Sequence, residues 1–194
     1  DSRWAAVTLA GVRTHVAGRG ATGSAFVTEL QLAGGIDENG GAGDVALALT
    51  LPCWTLLGML DRAIELTVAH VSLRKQFGQT LSAFQSVQFQ LTDAEVERSG
   101  LDILAKYTLW SIGNGSADAL TDALALRMAA LEAAEIVFRV CHQLHGAVGF
   151  CDETTLSWLS RYSQPLRRLP LGLSATRDLL ARRAGGTGLR GLFA

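Results

Sequence analysis

The fold is decided by residues 45–74, which read VALALTLPCWTLLGMLDRAIELTVAHVSLR. Apolar side chains recur through this stretch every three or four residues, the spacing of one face of an α-helix. The positions that carry the pattern are Leu47, Leu51, Leu56, Met59, Leu60, Ala63, Leu66 and Val68. Asp44, just before the stretch, predicts the N-cap of the helix, and Pro52 predicts a kink or the start of its straight part. Gly78, shortly after Arg74, predicts the end of this long first helix.

The same spacing continues downstream and predicts four further helices. They cover about Ser82 or Ala83 to Ile112, Ala117 to Leu144, residues 153–163 with Asp152 as N-cap, and Leu173 to Arg183. The inward side chains predicted for the two long ones are Val87, Leu91, Ala94, Leu101, Leu104, Leu109, Leu120, Leu124, Leu131, Val137 and Val140. Three helices of roughly 28–30 residues, each about 40 Å long and joined by short turns, predict an antiparallel bundle.

Before the first helix the sequence reads as β-strands. Short β-rich runs cover Trp4–Leu9, Val12–Val16 and Ala25–Leu32, and residues 36–43 predict a linker. This is too little sheet to close a core alone, so we expect it to pair with strands outside this chain. The predicted fold is α+β and mainly α, an antiparallel long-helix bundle preceded by part of a small β domain. The predicted bounds are 1–43 for the β part and linker, 44–184 for the helical bundle and 185–194 for a flexible tail.

Composition and charge exclude several classes of protein. A hydrophobic fraction of 48% with 3 prolines in 194 residues favours a helical protein. Lysine and arginine number 17 against 18 acidic residues, so the charge requires neither a nucleic acid nor an anionic membrane as partner. Asp61, Arg62 and Glu65 interrupt the longest apolar stretch, so we predict no membrane span. The 3 cysteines lack metal-like spacing, which predicts reduced thiols in a cytosolic protein. Because the chain starts at Asp1 without a methionine, we expect a fragment of a longer protein.

Two short motifs stand at the turns of the predicted bundle. The first is Arg74-Lys75-Gln76-Phe77-Gly78 with Phe84-Gln85 behind it, and the second is Gln143-Leu144-His145-Gly146-Ala147-Val148-Gly149-Phe150. An arginine beside a tight turn suits a pyrophosphate because its guanidinium donates two parallel hydrogen bonds. Glycines let a backbone approach a cofactor closely.

Each of these residues also has a purely structural interpretation. Arg74 stands where the dipole of a helix C-terminus favours a cation, and Gln85 can simply face solvent. Gly146 can belong to an ordinary helix-ending turn. The two histidines beside Cys141 have no further ligands at a useful spacing, so we predict no metal site.

Together the two motifs resemble those of acyl-CoA dehydrogenases, whose C-terminal helical domain carries R-x-x-F-G…F-Q and Q-x-x-G-G-x-G-[FY] at this separation. The resemblance covers about residues 1–184. It implies an FAD site shared by two subunits, in which Arg74 contacts the pyrophosphate of the neighbouring subunit's FAD. It also implies that Phe77 packs against the cofactor and that Gln143 bonds near its adenosine half. The implied cofactor-binding residues are Arg74, Gln76, Phe77, Gln85, Gln143, Gly146 and Ala147, the last standing where the family has its second glycine.

The resemblance fails on the catalytic side. Acyl-CoA dehydrogenases use a carboxylate base, which most members place about twenty residues after the G-x-G-[FY] turn. Pro170 and Leu171 occupy that place here, and Ala48 occupies the alternative place on the first helix. The arginine expected two residues later is Thr50, and the usual R-D pair reads Arg161-Tyr162. No catalytic residue is therefore predicted in this chain.

These departures resemble heteromeric acyl-CoA dehydrogenases, in which two kinds of subunit form an α2β2 heterotetramer and one kind supplies the base. The resemblance implies a cytoplasmic flavoprotein subunit that acts with a second acyl-CoA dehydrogenase-like subunit on an acyl-CoA thioester. The CoA thioester of a steroid side chain is one candidate substrate. Two alternatives stay open: a scaffold subunit that contributes to no flavin site, and an active homotetramer with an atypical base such as Asp178.

Overall fold

The computed structural model describes residues 5–7, 13–20, 30–37 and 41–187. The helices are α1 Gly41–Leu73, α2 Gln85–Gly113, α3 Ala119–His145, α4 Thr155–Arg168 and α5 Leu173–Thr187. α1, α2 and α3 each pack against the other two, and their short connections make consecutive helices antiparallel. α4 packs against α1 and α3, and α5 packs against α3. The predicted, mainly helical fold is confirmed.

A small antiparallel sheet precedes the bundle. Its strands are β1 Ala5–Val7, β2 Arg13–Arg19 and β3 Leu30–Asp37, in the order β1-β2-β3. The predicted third strand overlaps β3 only at residues 30–32, and its residues 25–29 lie outside the described ranges.

The linker predicted over residues 36–43 is wrong at both ends, and residues 38–40 lie outside the described ranges. Asp37 still pairs with Arg13 in the sheet, and α1 begins at Gly41. Glycines weaken a strand but do not end it when a neighbouring strand holds the backbone, as Thr14 does opposite Gly35. Asp44 is consequently not the N-cap but an acid in the first turn of α1, where the helix dipole favours it.

The core forms between α1, α2 and α3, and it differs from the prediction in which side of a helix faces inward. Leu109 is 37% exposed, and Leu47 and Leu51 are exposed as well. On α2 the inward positions near its C-terminal end are Ala105, Thr108 and Ser111. Small residues there allow the neighbouring helices to approach closely, whereas the larger Leu109 lies outside.

The last two helices are longer than predicted. Thr154, not Asp152, caps α4 by accepting a hydrogen bond from the backbone N–H of Ser157 at 3.4 Å. Asp152 instead forms an ion pair with Arg161 at 2.7 Å. α5 continues to Thr187, so residues 185–187 of the predicted flexible tail are helical, and residues 188–194 lie outside the described ranges.

α1 is also long and apolar enough, by length and composition, to cross a membrane. Half of the most apolar window in its stretch Gly43–Leu73 is buried inside the bundle. The core helix of a water-soluble bundle meets the same criterion, so the prediction of no membrane span stays a prediction.

Candidate functional site

A cleft of about 530 Å³ opens where α1 and α3 end, and we name it the α1–α3 cleft. It is lined by His70, Arg74, Gln76, Leu81, Val87, Gln90, Gln143, Leu144, His145, Gly146, Ala147 and Val148. Both sequence motifs therefore meet in one place, although about seventy residues separate them along the chain. Of the predicted cofactor-binding residues, Phe77 and Gln85 do not line the cleft.

A two-residue hairpin turn displays Phe77 beside the cleft. β4 Lys75–Gln76 pairs with β5 Gln79–Thr80, with Gln76 opposite Gln79. Phe77 and Gly78 both have positive φ, 52° and 84°, as a type I′ hairpin turn requires. A positive φ strains a bulky residue, and the ring is nonetheless 92% exposed. The ring contacts that of Phe84 edge to face, with ring centroids 6.4 Å apart.

The turn after α3 forms the opposite wall of the cleft. Gly146 caps α3 with a φ of 63°, and its N–H points back to the carbonyls of His142 and Gln143. Space around Gly146 is open, whereas a Cβ on Gly149 would lie 2.9 Å from Cβ of His145. Gly149 is thus required by packing against α3, and only Gly146 leaves room for an approaching molecule.

A stacked pair of histidines also lines the cleft, and it was not among the predicted site residues. The rings of His70 and His145 are 4.4 Å apart, and Nδ1 of His145 is 2.9 Å from the carbonyl oxygen of Cys141. Burial lowers the pKa of His70, and the neighbouring His145 and Arg74 lower it further. The signal was available in the sequence, because His70 precedes Arg74 by four residues and so shares its helix face.

A third histidine lies behind this pair. The ring of His142 stacks on Phe150 at 4.4 Å, and its buried Nδ1 has no hydrogen-bond partner within the described part of the chain. Burial, followed by the proximity of His145, lowers the pKa of His142. No group of three potential metal ligands occurs among the described residues.

Arg74 dominates the electrostatics of the cleft. Two helices, α1 and α3, direct their C-terminal ends toward it, and those ends carry partial negative charge. The depressed pKa of His70 keeps that ring neutral at neutral pH. Arg74 is exposed and, among the described residues that line the cleft, is the one arginine or lysine. An anion would therefore be attracted chiefly by its guanidinium, which is suited to a phosphate.

At the other end of α3, a buried arginine holds the loop between α4 and α5. Arg127 is fully buried, and its guanidinium donates hydrogen bonds to the carbonyl oxygens of Leu169 at 2.8 Å and Leu171 at 2.8 and 3.2 Å. Burial lowers its pKa and raises that of the neighbouring Cys53 thiol to about 11. Arg127 thus fixes the segment in which the family resemblance places the catalytic base.

That loop borders an apolar pocket of about 250 Å³, which we name the base-loop pocket. It is lined by Val45, Leu49, Leu120, Leu124, Leu171, Leu179, Arg182 and Arg183, with no carboxylate among these described residues. Pro170 and Ala48 are exposed. Thr50 is buried and donates its hydroxyl to the carbonyl of Ala46 at 2.8 Å.

The alternative base, Asp178, is exposed and does not line this pocket. Asp178 forms no ion pair with Arg182, one turn further along α5, among the described residues. Arg177 instead pairs with Glu132 on α3, because α5 turns that position toward α3.

The sequence matches a known family and known relatives. Residues 50–183 match the family described as acyl-CoA dehydrogenase, C-terminal domain. The acyl-CoA dehydrogenase FadE28 of Mycobacterium tuberculosis is 33% identical over 132 residues, which cover 67% of this chain and 38% of FadE28. The chain therefore spans less than half the length of this relative.

Solved structures share the fold at low sequence identity. A variant of the Tcur3481–Tcur3483 steroid ACAD superposes with a TM-score of 0.75 at 20% identity, covering 95% of this chain and 49% of that one. The ChsE4–ChsE5 complex from Mycobacterium tuberculosis gives 0.75 at 21%, covering 91% and 53%. The FAD complex of PigA gives 0.71 at 22%, covering 81% and 42%.

Proposed function

The chain belongs to the acyl-CoA dehydrogenase family through its C-terminal helical domain, and we propose that it is a subunit of an FAD-dependent enzyme that introduces an α,β double bond into an acyl-CoA thioester. In this proposal the α1–α3 cleft completes an FAD site across a subunit interface, and a second acyl-CoA dehydrogenase-like subunit supplies the catalytic carboxylate. One observation carries the proposal: five of the seven residues expected for the cofactor line the cleft, whereas no acid is among the described residues that line the base-loop pocket.

The cleft fits the diphosphate and adenosine part of FAD. Arg74 offers a planar pair of donors, and the amides of Gln76 and Gln143 offer both donors and acceptors on facing walls. Gly146 leaves open space for a close approach, and the methyl of Ala147 narrows the neighbouring wall. FAD, when bound, accepts the hydride that leaves the β-carbon of the acyl chain.

The rim of the cleft suggests that another subunit covers it. Leu73, Phe77, Val148 and Phe150 are all exposed, Phe77 almost completely. Exposed apolar side chains grouped around a polar site are typical of an interaction surface. The ChsE4–ChsE5 complex, which shares this fold, is by its name an assembly of two different chains.

The base-loop pocket supports the absence of a base in this chain. Removing the α-proton of an acyl-CoA requires a carboxylate within hydrogen-bond reach of it. Leu171 and Leu49 make that region apolar, and an apolar wall cannot accept a proton. We propose a cytoplasmic heterotetramer, with the CoA thioester of a steroid side chain as candidate substrate, a class suggested by the steroid ACAD of the same fold.

The test is native mass spectrometry of the complex purified with its partner subunit. We expect one FAD for every two chains, counting both kinds of subunit. The Arg74→Ala variant should bind FAD at least about a hundredfold more weakly, because it lacks the guanidinium that would donate charge-assisted hydrogen bonds to the diphosphate. Arg139→Ala is the matched control, since Arg139 is an exposed arginine that does not line the cleft.

Other outcomes would replace the proposal. Unchanged FAD occupancy in the Arg74→Ala complex would identify a scaffold subunit that takes no part in the flavin site. Stoichiometric FAD and acyl-CoA dehydrogenation by this chain alone would identify a homomeric enzyme with its own base. In that case loss of turnover in the Asp178→Asn variant would identify the base.

A further inference from the structure

Two imidazole rings stack against each other inside the α1–α3 cleft. His70 lies in the last turn of α1, and His145 is the last residue of α3. Their ring centroids are 4.4 Å apart, with 19° between the ring planes. Both residues line the cleft and are partly buried. We name them the histidine stack.

One hydrogen bond determines which nitrogen of His145 can take up a proton. Nδ1 of this ring lies 2.9 Å from the carbonyl oxygen of Cys141. A carbonyl oxygen only accepts hydrogen bonds, so Nδ1 carries a hydrogen in the neutral ring as well as in the charged one. Nε2 is therefore the nitrogen that gains a proton. Once protonated, Nε2 can donate a hydrogen bond to a phosphate oxygen.

The charges that line the cleft do not balance those of a diphosphate. A diphosphate that is esterified at both ends, as in FAD, is a dianion. Arg74 is the one arginine or lysine among the described residues of the lining, and none of them is a carboxylate. One guanidinium leaves one negative charge without a cation. Of the groups in the lining, only the histidine stack can gain a positive charge near neutral pH.

Without a bound anion, the surroundings of the stack disfavour a charge on it. Burial lowers the pKa of His70, and the neighbouring His145 and Arg74 lower it further. Two charged rings at this distance would repel each other, so the stack takes up one proton at most. A dianion beside Arg74 reverses this balance, because it offsets the guanidinium and attracts a second cation.

The other groups around the stack cannot take its place. His142, on the same helix, does not line the cleft: its ring stacks on Phe150, and burial and the proximity of His145 lower its pKa. Lys75 follows Arg74 but lies outside the lining. The lining side chains of α2 and of the turn before it do not titrate; they are Leu81, Val87 and Gln90.

We propose that His145 is a second anion contact of the α1–α3 cleft, whose Nε2 takes up a proton from solvent when a diphosphate binds beside Arg74 and then donates a hydrogen bond to a phosphate oxygen. The inference rests on the proposed function, because it takes the diphosphate of FAD as the occupant of the cleft. His70 stays neutral and packs against the charged ring. Proton and anion strengthen each other's binding by the same factor, which we expect to be about tenfold.

Isothermal titration calorimetry of the purified chain with ADP-ribose tests the proton uptake. The diphosphate of ADP-ribose is esterified at both ends, so its own charge stays constant between about pH 5.5 and 7.5. Titrations in buffers of different ionisation enthalpy count the protons taken up with the ligand. We expect at least about 0.5 proton for each ADP-ribose near pH 6.5, and an affinity about tenfold higher at pH 5.5 than at pH 7.5.

Three variants assign the proton to a residue. His145→Gln, which cannot become charged, should bind ADP-ribose without proton uptake and without the pH dependence. His145→Arg, which carries a permanent charge, should also lose the uptake but should bind more tightly than the wild type at pH 7.5. His142→Gln is the matched control, a histidine of the same helix outside the lining, and should keep both the uptake and the pH dependence. Circular dichroism checks that each variant folds, and His145→Arg decides alone if His145→Gln does not.

The possible failures separate this inference from the proposed function. ADP-ribose binding that Arg74→Ala weakens, but that takes up no proton, overturns the inference and leaves the proposed function intact. Proton uptake that persists in His145→Gln also overturns it, because another group then gains the charge. A chain that binds no ADP-ribose at millimolar concentration overturns it as well, whereas the FAD occupancy of the Arg74→Ala complex decides the proposed function independently.

Discussion

The two ends of the bundle differ in whether their arginine bonds within the chain or faces solvent. At the end beside the base-loop pocket, Arg127 is fully buried and donates hydrogen bonds to the carbonyls of Leu169 and Leu171. At the cleft end, Arg74 is exposed and Phe77 projects from a strained turn into solvent. A buried arginine that holds a loop through backbone carbonyls supports the fold, although its Nη1 has no partner among the described residues. An end with an exposed arginine and a strained, exposed aromatic ring is suited to binding another molecule.

The largest expected effect comes from removing the Arg127 guanidinium. Arg127→Met should lower the free energy of unfolding by about 3 kcal/mol, because the carbonyls of Leu169 and Leu171 lose the charge-assisted hydrogen bonds that the guanidinium donates to them. Urea denaturation measures this loss. Arg139→Met, at an exposed position of α3, is the control and should change stability by less than about 0.5 kcal/mol. Similar losses in both variants would show that the hydrogen bonds of Arg127 contribute little.

A somewhat smaller effect should follow from restoring an acid at the base position. Leu171→Glu should lower the free energy of unfolding by about 2 kcal/mol at neutral pH, because a carboxylate would enter an apolar pocket. Burial would raise the pKa of the new carboxyl, so the loss should shrink as the pH falls and the group takes up a proton. Leu169→Glu, at an exposed position of the same loop, should lower the free energy of unfolding only slightly. If Arg182 or Arg183 pairs with the new carboxylate, Leu171→Glu will cost no more than this control.

At the cleft end, replacing the strained Phe77 should stabilise the chain but weaken FAD binding. Phe77→Asn should raise the free energy of unfolding by about 1 kcal/mol, since asparagine tolerates a positive φ better than phenylalanine does. The same variant should weaken FAD retention in the complex by about tenfold through loss of the ring. Thermal denaturation and flavin fluorescence measure the two effects. Gly78→Ala, at a φ of 84°, should instead destabilise the turn, and a parallel change in both properties for Phe77→Asn would refute the separation.

The smallest effect is the pH dependence of the cleft. The pKa values of His70 and His142 are lowered in the folded chain by burial, and His145 lowers both further. The unfolded chain therefore binds more protons below its histidine pKa of about 6.5, and stability falls as the pH drops through that value toward the folded pKa. The melting temperature should decrease between about pH 7.5 and 5.5. Replacing both histidines by glutamine should flatten this decrease, and an unchanged slope would assign it to other groups.

Local sequence chemistry predicted most of the helices because their periodicity extends over many turns. The prediction from sequence was least accurate at the ends of helices and strands. Ile36 and Asp37 belong to β3, and Thr154 rather than Asp152 caps α4. Such ends depend on which backbone groups find a partner, and that choice is made by neighbouring strands and turns rather than by the residue itself.

Much of the candidate site could also be predicted, because both motifs are short and each lies at one turn. Arg74 and Gln143 were expected to serve one site, and they line one cleft. Gln85 was expected there as well, but it lies outside the lining, since the start of α2 directs Val87 and Gln90 inward instead. His70 was missed although its spacing from Arg74 was visible in the sequence, because its stacking partner His145 is distant along the chain.

The sequence by itself determined the helices, the end of the first helix before Gly78 and the absence of an acid at the expected base positions, since these depend on residue type and local spacing. Tertiary structure alone decided that Arg127 holds the loop between α4 and α5 and that apolar side chains of α2 stay exposed, namely Phe89, Val96, Ile103 and Trp110. Both follow from which face of a helix packs inward, and that choice rests on how closely neighbouring helices approach. Periodicity marks both apolar faces of α2 alike, and only packing shows that one of them stays exposed.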